Sequence, residues 1–410
     1  MRYVIIGTSA AGLAAAETIR QRDRQGGITL ISDEPHLPYS RPLLTYLLGR
    51  EVDAEKIFLK SHDYFDRWGF EPRLGAPVLK VKPESREVHL EGGETVLYDK
   101  LLIASGASPR LLGIPGEDLA GVYTLRNLAD VENLEKGLPP GGSVAIVGAG
   151  AVGLKAAEAL IRRGNRVTLL EAESRPLPHL LDQTAAGLLH QVLTSLGVES
   201  HFGVRPVGLM EKKGRLNGLL LDNDNTVTAD AVIIAVGVRP RNEFLAGTGL
   251  DRPEGIPVSP FMETGHRHIF AAGDCACAPH FLTGEPAAYR IWPAAVAQGE
   301  IAGANMTGAG RRYDGILPRN SISLKGVKII AGGLLEPDGK DGEVFNELDR
   351  SRGHYRRLVF QNGCLVGVTL AGPKAADAGI YFQIMARKVP VKDLPVDIRS
   401  AAFHPGKLWA

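Results

Sequence analysis

Residues 3–12 read Tyr3-Val4-Ile5-Ile6-Gly7-Thr8-Ser9-Ala10-Ala11-Gly12, an apolar run that leads into glycines and other small residues. β-branched residues favour a strand, and the alanines after the turn favour a helix. The next apolar run ends in two acids and reads Thr29-Leu30-Ile31-Ser32-Asp33-Glu34. This order predicts a strand, a tight turn, a helix and a second strand, which is the dinucleotide-binding pattern.

The same order occurs a second time in the chain. Its strand and turn are Val144-Ala145-Ile146-Val147-Gly148-Ala149-Gly150-Ala151-Val152-Gly153, and its second strand is Val167-Thr168-Leu169-Leu170-Glu171. Residues 100–110 and residues 231–240 also resemble each other, because each is an apolar strand followed by small residues and by proline beside arginine. We infer an internal duplication of one module.

Glycine has a physical role at each turn. The first glycine lets the chain turn tightly off the strand, the second lets backbone N–H groups approach a pyrophosphate, and the third lets helix and strand pack closely. The N-terminus of the helix then holds the phosphates, and the acid accepts hydrogen bonds from a ribose hydroxyl. Ser9 takes the middle glycine position of the first turn, and its small side chain still allows a phosphate to approach.

Length, composition and charge indicate how many domains to expect and which kinds of partner to exclude. The 410 residues carry a formal net charge of +1, and 44% of them are hydrophobic. The length predicts two or three domains. With no basic block, neither a nucleic acid nor a membrane is expected as a partner. The sequence has no apolar run of about eighteen residues and enters a strand at Tyr3, so we expect a cytoplasmic protein.

Cysteines are scarce, since the chain has three, Cys275, Cys277 and Cys364. Residues 37–46, after the first module's strands, contain none, so no thiol there can relay electrons. Cys275, Cys277 and His280 could supply three metal ligands, and His266 or His268 could add a fourth. Structural zinc prefers four ligands and a wider cysteine spacing, so we predict no metal site.

The two modules predict the domain division. Residues 1–110 and 237–312 would form a first dinucleotide-binding domain, residues 111–236 a second one, and residues 313–410 a C-terminal domain. The return to the first domain is inferred from the strand that ends at Asp274, because ligands of parallel α/β sheets bind beyond the carboxyl ends of the strands.

Two features complete the predicted architecture. Trp292 and Pro293 are expected to begin a helix that runs to Ala304, since proline suits the first turn of a helix. Short strands are expected at residues 321–324, 328–332, 355–360 and 365–370, with an Asn362-Gly363 turn between the last two. The predicted fold class is therefore α/β, with two Rossmann-like dinucleotide-binding domains and a small α+β C-terminal domain.

Motifs along nearly the whole chain carry a resemblance to a known family. They are Gly7 to Gly12, Asp33-Glu34-Pro35, Pro38-Tyr39-Ser40-Arg41-Pro42, Ala104-Ser105-Gly106, Pro109-Arg110, Gly148 to Gly153, Glu171, Gly273-Asp274 and residues 302–308. With these motifs the chain resembles the FAD- and NAD(P)H-dependent reductases. That group includes rubredoxin reductases, ferredoxin-reductase components of oxygenases, the amino-terminal part of nitrite reductase large subunits, and apoptosis-inducing factor. The resemblance implies FAD and NAD(H) as cofactors.

The resemblance implies that the first site holds FAD. The residues expected there are Gly7, Ser9, Ala10, Ala11, Gly12, Asp33, Glu34, Arg41, Val78, Ala104, Arg110, Asp274, Ile291 and Trp292. Asp33 or Glu34 would bind the adenosine ribose, and the arginines would offset the phosphate charge. The helix start at Ile291 and Trp292 would face the pyrimidine edge of the flavin, where its positive end stabilises negative charge.

The second site is expected to hold NAD. Its expected residues are Gly148, Gly150, Ala151, Val152, Gly153, Glu171 and Gly237. Glu171 would accept from the ribose 2′-OH and would repel a 2′-phosphate, which favours NAD over NADP. Arg175 lies close in sequence and tempers this preference.

Tyr46 and Lys155 depart from the family pattern and are the candidate catalytic residues. In many relatives a lysine at the position of Tyr46 and a glutamate at the position of Lys155 form an ion pair beside the flavin N5. Here we expect Lys155 to supply a positive charge near N5. The alternative is that Lys155 points to solvent, as lysines on helices usually do.

The activity implied by the resemblance is hydride transfer between the nicotinamide and FAD, and transfer of single electrons to or from an iron–sulfur protein. The partner would be a carrier such as rubredoxin or ferredoxin, or a subunit of a larger redox complex, and a homodimer is also possible. Two alternatives stay open: an NADH oxidase that forms hydrogen peroxide, and a binding protein that senses FAD and NADH.

Overall fold

The computed structural model describes residues 1–338, 341–400 and 403, so the rest of the predicted C-terminal domain lies outside the described residues. The α-helices are Ala10–Arg22, Leu44–Leu48, Tyr64–Trp68, Leu128–Gly137, Ala151–Arg162, Gln183–Ser195, Trp292–Met306 and Ala378–Arg387. The 3-10 helices are Arg41–Leu43, Ala54–Ile57, Glu243–Leu245, Gly372–Asp377 and Val391–Asp393. Within the described ranges, no helix combines the length and the apolar character needed to cross a bilayer.

The chain divides into two compact units. The first unit comprises Met1–Leu43, Val52–Arg110 and Val238–Ile316, and the second comprises Leu44–Glu51, Leu111–Gly237 and the described residues from Leu317 onward. The strands of the first unit are Arg2–Ile6, Gly27–Ile31, Phe70–Arg73, Val78–Lys82, Glu87–Leu90, Thr95–Leu97, Lys100–Ile103, Ala107–Pro109, Val238–Pro240, Ile256–Pro257, Ile269–Ala271, Ala276–Pro279 and Pro286–Ala287. Those of the second are Val122–Thr124, Ser143–Val147, Arg166–Glu171, Glu199–Phe202, Pro206–Lys212, Arg215–Leu221, Thr226–Thr228, Ala231–Ile234, Arg319–Leu324, Val327–Gly333, Gly342–Asp349, His354–Gln361 and Cys364–Ala371.

A parallel sheet forms the core of the first unit. Its strands lie in the order 269–271, 100–103, 2–6, 27–31 and 70–73. Ile5, Leu30 and Leu102 are fully buried. Central strands of a parallel sheet are covered on both faces, which explains why they read as unbroken apolar runs.

The second unit contains a parallel sheet of the same design. Its strands lie in the order 199–202, 166–171, 143–147, 231–234 and 122–124. Each unit also carries a three-stranded antiparallel sheet, formed by residues 78–97 in the first and by residues 206–228 in the second. The repeat seen in the sequence is therefore a repeat of structure.

Two helices of the first unit pack closely because small residues line their contact. A Cβ on Gly299 would overlap the Ala11 carbonyl oxygen, and one on Gly303 would lie 2.6 Å from the Ala15 carbonyl oxygen. Glycine at these positions lets the backbones of Ala10–Arg22 and Trp292–Met306 approach each other. The second of these helices is the one predicted to start at Trp292, and it extends two residues beyond the predicted end.

The chain from Arg319 folds into an antiparallel sheet in the order 319–324, 327–333, 364–371, 354–361 and 342–349. The four predicted strands are present, and the Asn362-Gly363 turn has φ values of 50° and 73°, as a two-residue hairpin requires. The prediction omitted the strand Gly342–Asp349 and the helix Ala378–Arg387. The omitted strand lies at the sheet edge and has no buried residue, so it lacks an apolar run.

Candidate dinucleotide-binding sites

The first glycine turn is held by backbone contacts that leave no room for side chains. The Gly7 N–H donates to the Ile31 carbonyl oxygen at 2.7 Å, and Gly7 has a φ of +115°. A Cβ on Gly7 would overlap the carbonyl oxygen of Ala104, and one on Gly12 would overlap the carbonyl oxygen of Gly7. Glycine is therefore required at both positions for steric reasons.

The helix Ala10–Arg22 begins at this turn with an uncompensated positive end. Ser9 is the N-cap residue, its hydroxyl makes no capping hydrogen bond, and the first turn of the helix carries no acid. Such an N-terminus suits an anion such as a pyrophosphate. Ala10 and Trp292 also line a cavity of about 540 Å³, which extends along the helix as far as Arg22.

The carboxyl ends of four parallel strands meet beside this turn. Ile6 pairs with Ile31 and Ile103, and Ile103 pairs with Ala271. The sheet thus brings to one edge several residues of the predicted FAD site, namely Gly7, Asp33, Glu34, Ala104 and Asp274.

Each of the two acids at this edge is paired with an arginine. Glu34 accepts hydrogen bonds from the Arg41 guanidinium and from the Tyr39 hydroxyl, whereas Asp33 Oδ2 accepts from Arg241 at 2.9 Å. Burial is the largest single influence on the Arg41 guanidinium and acts to lower its pKa, but the charges of Glu34, Tyr39 and Asp33 and the hydrogen bond to Glu34 together outweigh burial and raise that pKa. Arg41 therefore keeps its positive charge at the edge where phosphates are expected.

Arg241 is a residue of this edge that the sequence pattern did not single out. Ser105 Oγ donates to the Arg241 carbonyl oxygen at 2.5 Å, and the Arg241 N–H donates to the Gly106 carbonyl oxygen at 3.0 Å. These bonds fix its backbone beside the turn after the strand Lys100–Ile103. One feature of the sequence could have identified it: Arg241 is the second arginine, after Arg239, and directly follows the repeated segment 231–240.

Arg110 and Val78, two further residues of the predicted FAD site, lie on segments that follow this edge in the chain or contact it. Arg110 Nε donates to the Val238 carbonyl oxygen at 3.0 Å. The Ala76 N–H donates to the Ser32 carbonyl oxygen at 2.8 Å. Ala76 thus contacts the sheet edge, and the strand Val78–Lys82 begins two residues after it.

The helix Trp292–Met306 begins after the N-cap residue Ile291, with proline in its first turn. The Gly273 N–H donates to Gln298 Oε1 at 2.8 Å, in a buried contact that links the turn before Asp274 to this helix. Gln298 is 1% exposed, and no sequence signal identified it.

Two buried donors lie directly before this helix. The Tyr289 hydroxyl and Arg290 Nε have no hydrogen-bond partner among the described residues. A buried polar group without a partner costs about 1–3 kcal/mol. The flavin of FAD carries carbonyl and ring-nitrogen acceptors that would satisfy such donors, so the residues present here fit that cofactor.

The second glycine turn repeats the backbone contacts of the first. The Gly148 N–H donates to the Leu170 carbonyl oxygen at 2.7 Å, and Gly148 has a φ of +109°. A Cβ on Gly148 would overlap the Ala235 carbonyl oxygen, and one on Gly153 would overlap the Gly148 carbonyl oxygen. Gly150 has open space around it, so a ligand can approach its backbone closely.

Apolar surface is exposed around the second turn. Val152, in the first turn of the helix that starts at Ala151, is 44% exposed, and Val236 is 37% exposed. Gly237 follows with a φ of +101°. The rings of a dinucleotide bound at this turn would cover apolar side chains such as these.

Glu171 lies against the second turn. Its Oε2 accepts from the Ala149 N–H at 2.8 Å, and its Oε1 accepts from the Glu173 N–H at 3.0 Å. The Arg175 guanidinium donates instead to two backbone carbonyl oxygens, each at 3.0 Å. The carboxylate is thus fixed at the turn, and the nearby cation is held by other groups.

The acids of the two sites do not occupy equivalent positions. Ile31 and Leu170 are equivalent, because each accepts a hydrogen bond from the first glycine of its turn. Glu171 directly follows Leu170, but Ser32 follows Ile31. The acids of the first site therefore come one and two residues later, beyond the end of the strand.

Lys155 lies near the start of the helix Ala151–Arg162, and its side chain is 18% exposed. Its ammonium forms an ion pair with Glu158, lies 4.6 Å from the centroid of the Tyr46 ring, and donates to the Ser323 carbonyl oxygen at 3.3 Å. The Lys155 ammonium is therefore bound by neighbouring groups and does not point freely into solvent. Sequence reasoning missed Glu158, although its i,i+3 spacing on a helix was a usable signal.

Metal ligands do not cluster in residues 1–338, 341–400 and 403, where no group of three His, Cys, Asp or Glu side chains could hold an ion. Cys275, Cys277 and Cys364 are free thiols. Burial raises the pKa of the Cys275 thiol, and its Sγ donates to the Ile103 carbonyl oxygen at 3.4 Å. A protonated, buried thiol of this kind is unreactive.

Two parallel sheets, each with a glycine turn and a helix N-terminus at its carboxyl edge, define a protein with two dinucleotide-binding domains. The chain belongs to the pyridine nucleotide-disulphide oxidoreductase family, whose profile matches residues 1–299. Family membership confirms the predicted fold class and the prediction of an oxidoreductase that uses FAD and NAD(H).

Similar proteins match nearly the whole chain. The NADH-dependent phenylglyoxylate dehydrogenase subunit epsilon of Aromatoleum evansii is 33% identical over 397 residues, which are 96% of this chain and 93% of that protein. Rhodocoxin reductase of Rhodococcus erythropolis is 32% identical over 405 residues, 98% of this chain and 92% of that protein. The crystal structure of a ferredoxin reductase from Rhodopseudomonas palustris has a TM-score of 0.90 and 28% identity, with 100% of each chain covered. These similar proteins confirm the resemblance to the FAD- and NAD(P)H-dependent reductases.

Proposed function

We propose that this protein is an FAD-dependent NADH oxidoreductase that exchanges a hydride between NAD(H) and FAD and passes electrons singly to or from an iron–sulfur partner. The observation that carries the proposal is the pair of glycine turns with the same geometry, one in each unit, since each suits one dinucleotide. When bound, FAD takes up two electrons together and releases them one at a time.

The first unit would retain FAD through several elements. The N–H groups of the turn at residues 7–12 would bind the pyrophosphate, and Arg41 and Arg110 would offset its charge. Asp33 or Glu34 would accept from the adenosine ribose, since each of these carboxylates is held at this edge by an arginine.

The flavin end of FAD would lie at the start of the helix Trp292–Met306. Backbone N–H groups near Ile291 and Trp292 would stabilise negative charge on the reduced ring through the helix dipole. Asp274 would bind the ribityl or pyrophosphate side. The Tyr289 hydroxyl supports this placement, because it is a buried donor close to the helix start and no described residue accepts from it.

The second unit would bind NAD(H) reversibly. The backbone at Gly148, Gly150, Ala151 and Gly153 would hold the pyrophosphate, and Glu171 would accept from the ribose. Val152 and Gly237 would contact the remainder of the dinucleotide. In domain terms, residues 1–110 and 237–312 would bind FAD, residues 111–236 would bind NAD, and residues 313–410 would form the C-terminal interface domain.

The segment at residues 37–46 supports an external electron acceptor. It contains no cysteine, and Cys275 is buried with a raised thiol pKa, so the described part of the chain offers no thiol relay at either place. The similar proteins point to two kinds of partner, since one is named a ferredoxin reductase and another a subunit of a dehydrogenase. We propose an iron–sulfur carrier or subunit as the partner and the cytoplasm, where NADH is abundant, as the location.

Anaerobic turnover assays test this proposal. The FAD-loaded protein would be mixed with NADH and with a [2Fe–2S] ferredoxin or a rubredoxin, and reduction of the acceptor would be followed by absorbance. We expect acceptor reduction to be much faster than NADH oxidation in air without an acceptor. Hydrogen peroxide formation at the same rate would favour the oxidase instead, and NADH-dependent dimerisation without turnover would favour the sensor.

A further inference from the structure

Lys155 and Glu158 form an ion pair inside the second unit. They are three residues apart on the helix Ala151–Arg162, and their side chains are 18% and 8% exposed. A carboxylate buried to this degree is costly unless a cation compensates it. The two side chains therefore act as one element with a net charge of zero.

Three further contacts hold the pair in place. The Tyr46 ring lies 4.6 Å from the Lys155 ammonium, which also donates to the Ser323 carbonyl oxygen at 3.3 Å. The Lys325 N–H donates to Glu158 Oε1 at 2.8 Å. Because the contacts come from separate segments, neither charge can move away from the other without losing a partner.

We propose that Glu158 is a positioning residue that holds Lys155 and neutralises its charge at the nicotinamide end of the second site. This inference rests on the proposed function, because it takes the second site to bind NAD(H). The helix that carries the pair starts at the glycine turn, so Lys155 lies about one turn and Glu158 about two turns after the helix start, where the N–H groups assigned to the pyrophosphate lie.

Charge neutrality matters because the nicotinamide changes charge in the reaction. The ring is neutral in NADH and positive in NAD⁺, so a lone ammonium within the Debye length would disfavour the oxidised form. An ion pair removes most of this bias and lets the site bind both forms. Loss of either partner should therefore change the preference between the two forms, in opposite directions.

The test compares the binding of two nucleotides to the oxidised, FAD-loaded protein. NAD⁺ has a positive ring, and tetrahydro-NADH is a non-reducing analogue with a neutral ring, so neither reduces the flavin. The ratio of their dissociation constants, NAD⁺ over tetrahydro-NADH, is read from perturbation of the flavin absorbance. Glu158→Gln should raise this ratio on the order of threefold to tenfold, and Lys155→Gln should lower it by a similar factor.

Three further variants make the result specific. The double variant with Lys155→Gln and Glu158→Gln should return to within about twofold of the wild-type ratio, and Lys155→Arg should keep the wild-type ratio. Glu132→Gln removes an exposed carboxylate 4.0 Å from Lys136 on another helix of the unit and should change nothing. If Glu158→Gln does not fold, the two lysine variants still test the proposal, since Lys155→Gln should lower the ratio and Lys155→Arg should leave it unchanged.

Two outcomes are distinguishable. If both single variants keep the wild-type ratio, or shift it in the same direction, with normal FAD content and circular dichroism, the role of Glu158 is wrong. If the wild-type protein binds neither nucleotide, the proposed function fails instead.

Discussion

The Glu171 carboxylate accepts a hydrogen bond from the Ala149 N–H at 2.8 Å, so the acid that ends the second strand is fixed beside the second glycine turn. An acid in this place accepts from the ribose hydroxyls of NAD and repels the 2′-phosphate of NADP. Arg175, the cation closest in sequence, donates to two backbone carbonyl oxygens and is not directed to a phosphate by any described contact. The arrangement favours NAD.

Replacing Glu171 with alanine should weaken the use of NADH without creating good use of NADPH. Loss of the ribose acceptor is expected to lower kcat/KM for NADH about tenfold. NADPH should stay poor, because Arg175 keeps its backbone partners. Steady-state kinetics with both nucleotides test this, with the exposed Glu199→Ala as control. A Glu171→Ala protein that used NADPH as well as the wild type uses NADH would contradict the assignment.

Gly12→Ala should disrupt the first site. The new Cβ would overlap the Gly7 carbonyl oxygen, and the strain should destabilise the first unit by about 1–3 kcal/mol and reduce FAD binding. Gly27→Ala is the matched control, because nothing lies within 4 Å of a Cβ added there. The measurements are the flavin-to-protein absorbance ratio and the unfolding temperature. Full FAD content in Gly12→Ala would show that this turn does not hold the cofactor.

Arg241→Ala should weaken FAD binding. Arg241 pairs with Asp33 at 2.9 Å, and both side chains are 37% exposed, so the loss is expected to be about threefold to tenfold in the dissociation constant. Arg239→Ala removes an arginine of the same segment whose partner is the exposed Glu243, and it serves as the control. Flavin fluorescence on titration of the apoprotein measures both. Equal affinities for the two variants would argue against a role of Asp33 at the ribose.

Tyr3 should make the stability of the first unit depend on pH in the alkaline range. Burial, and then the hydrogen bond to Asp23, raises the pKa of Tyr3 from 10.0 to about 12. The folded pKa lies above the unfolded one, so this stabilisation is fully present below pH 10 and is lost as the pH rises towards 12. Two pKa units correspond to a loss of about 3 kcal/mol over this range.

Tyr3→Phe should therefore lose stability less steeply than the wild type as the pH rises from about 9 to 11. The free energy of unfolding in urea at several pH values measures the difference. At pH 8 the two proteins should differ by the Asp23 hydrogen bond alone, about 1 kcal/mol. Equal slopes for the two proteins would mean that Tyr3 titrates normally.

Some residues of the two sites could not be predicted from the sequence, because they are brought into place by long-range contacts. Arg241 and Asp33 are 208 residues apart, and Gly273 and Gln298 belong to different elements. Their pairing depends on which strands become neighbours, and no local pattern encodes that. The edge strand Gly342–Asp349 was missed for another reason, because it has little apolar surface to bury.

The sequence by itself determined the two modules, their glycine turns and their order along the chain. These features are local: a strand covered on both faces needs an apolar run, and a turn with positive φ and a close carbonyl needs glycine. Only the tertiary structure decided which charges are compensated. It joined Asp33 to Arg241 and surrounded Lys155 with Glu158 and Tyr46. Such pairings follow from burial, because a charge removed from water requires a partner, and the fold selects that partner from distant parts of the chain.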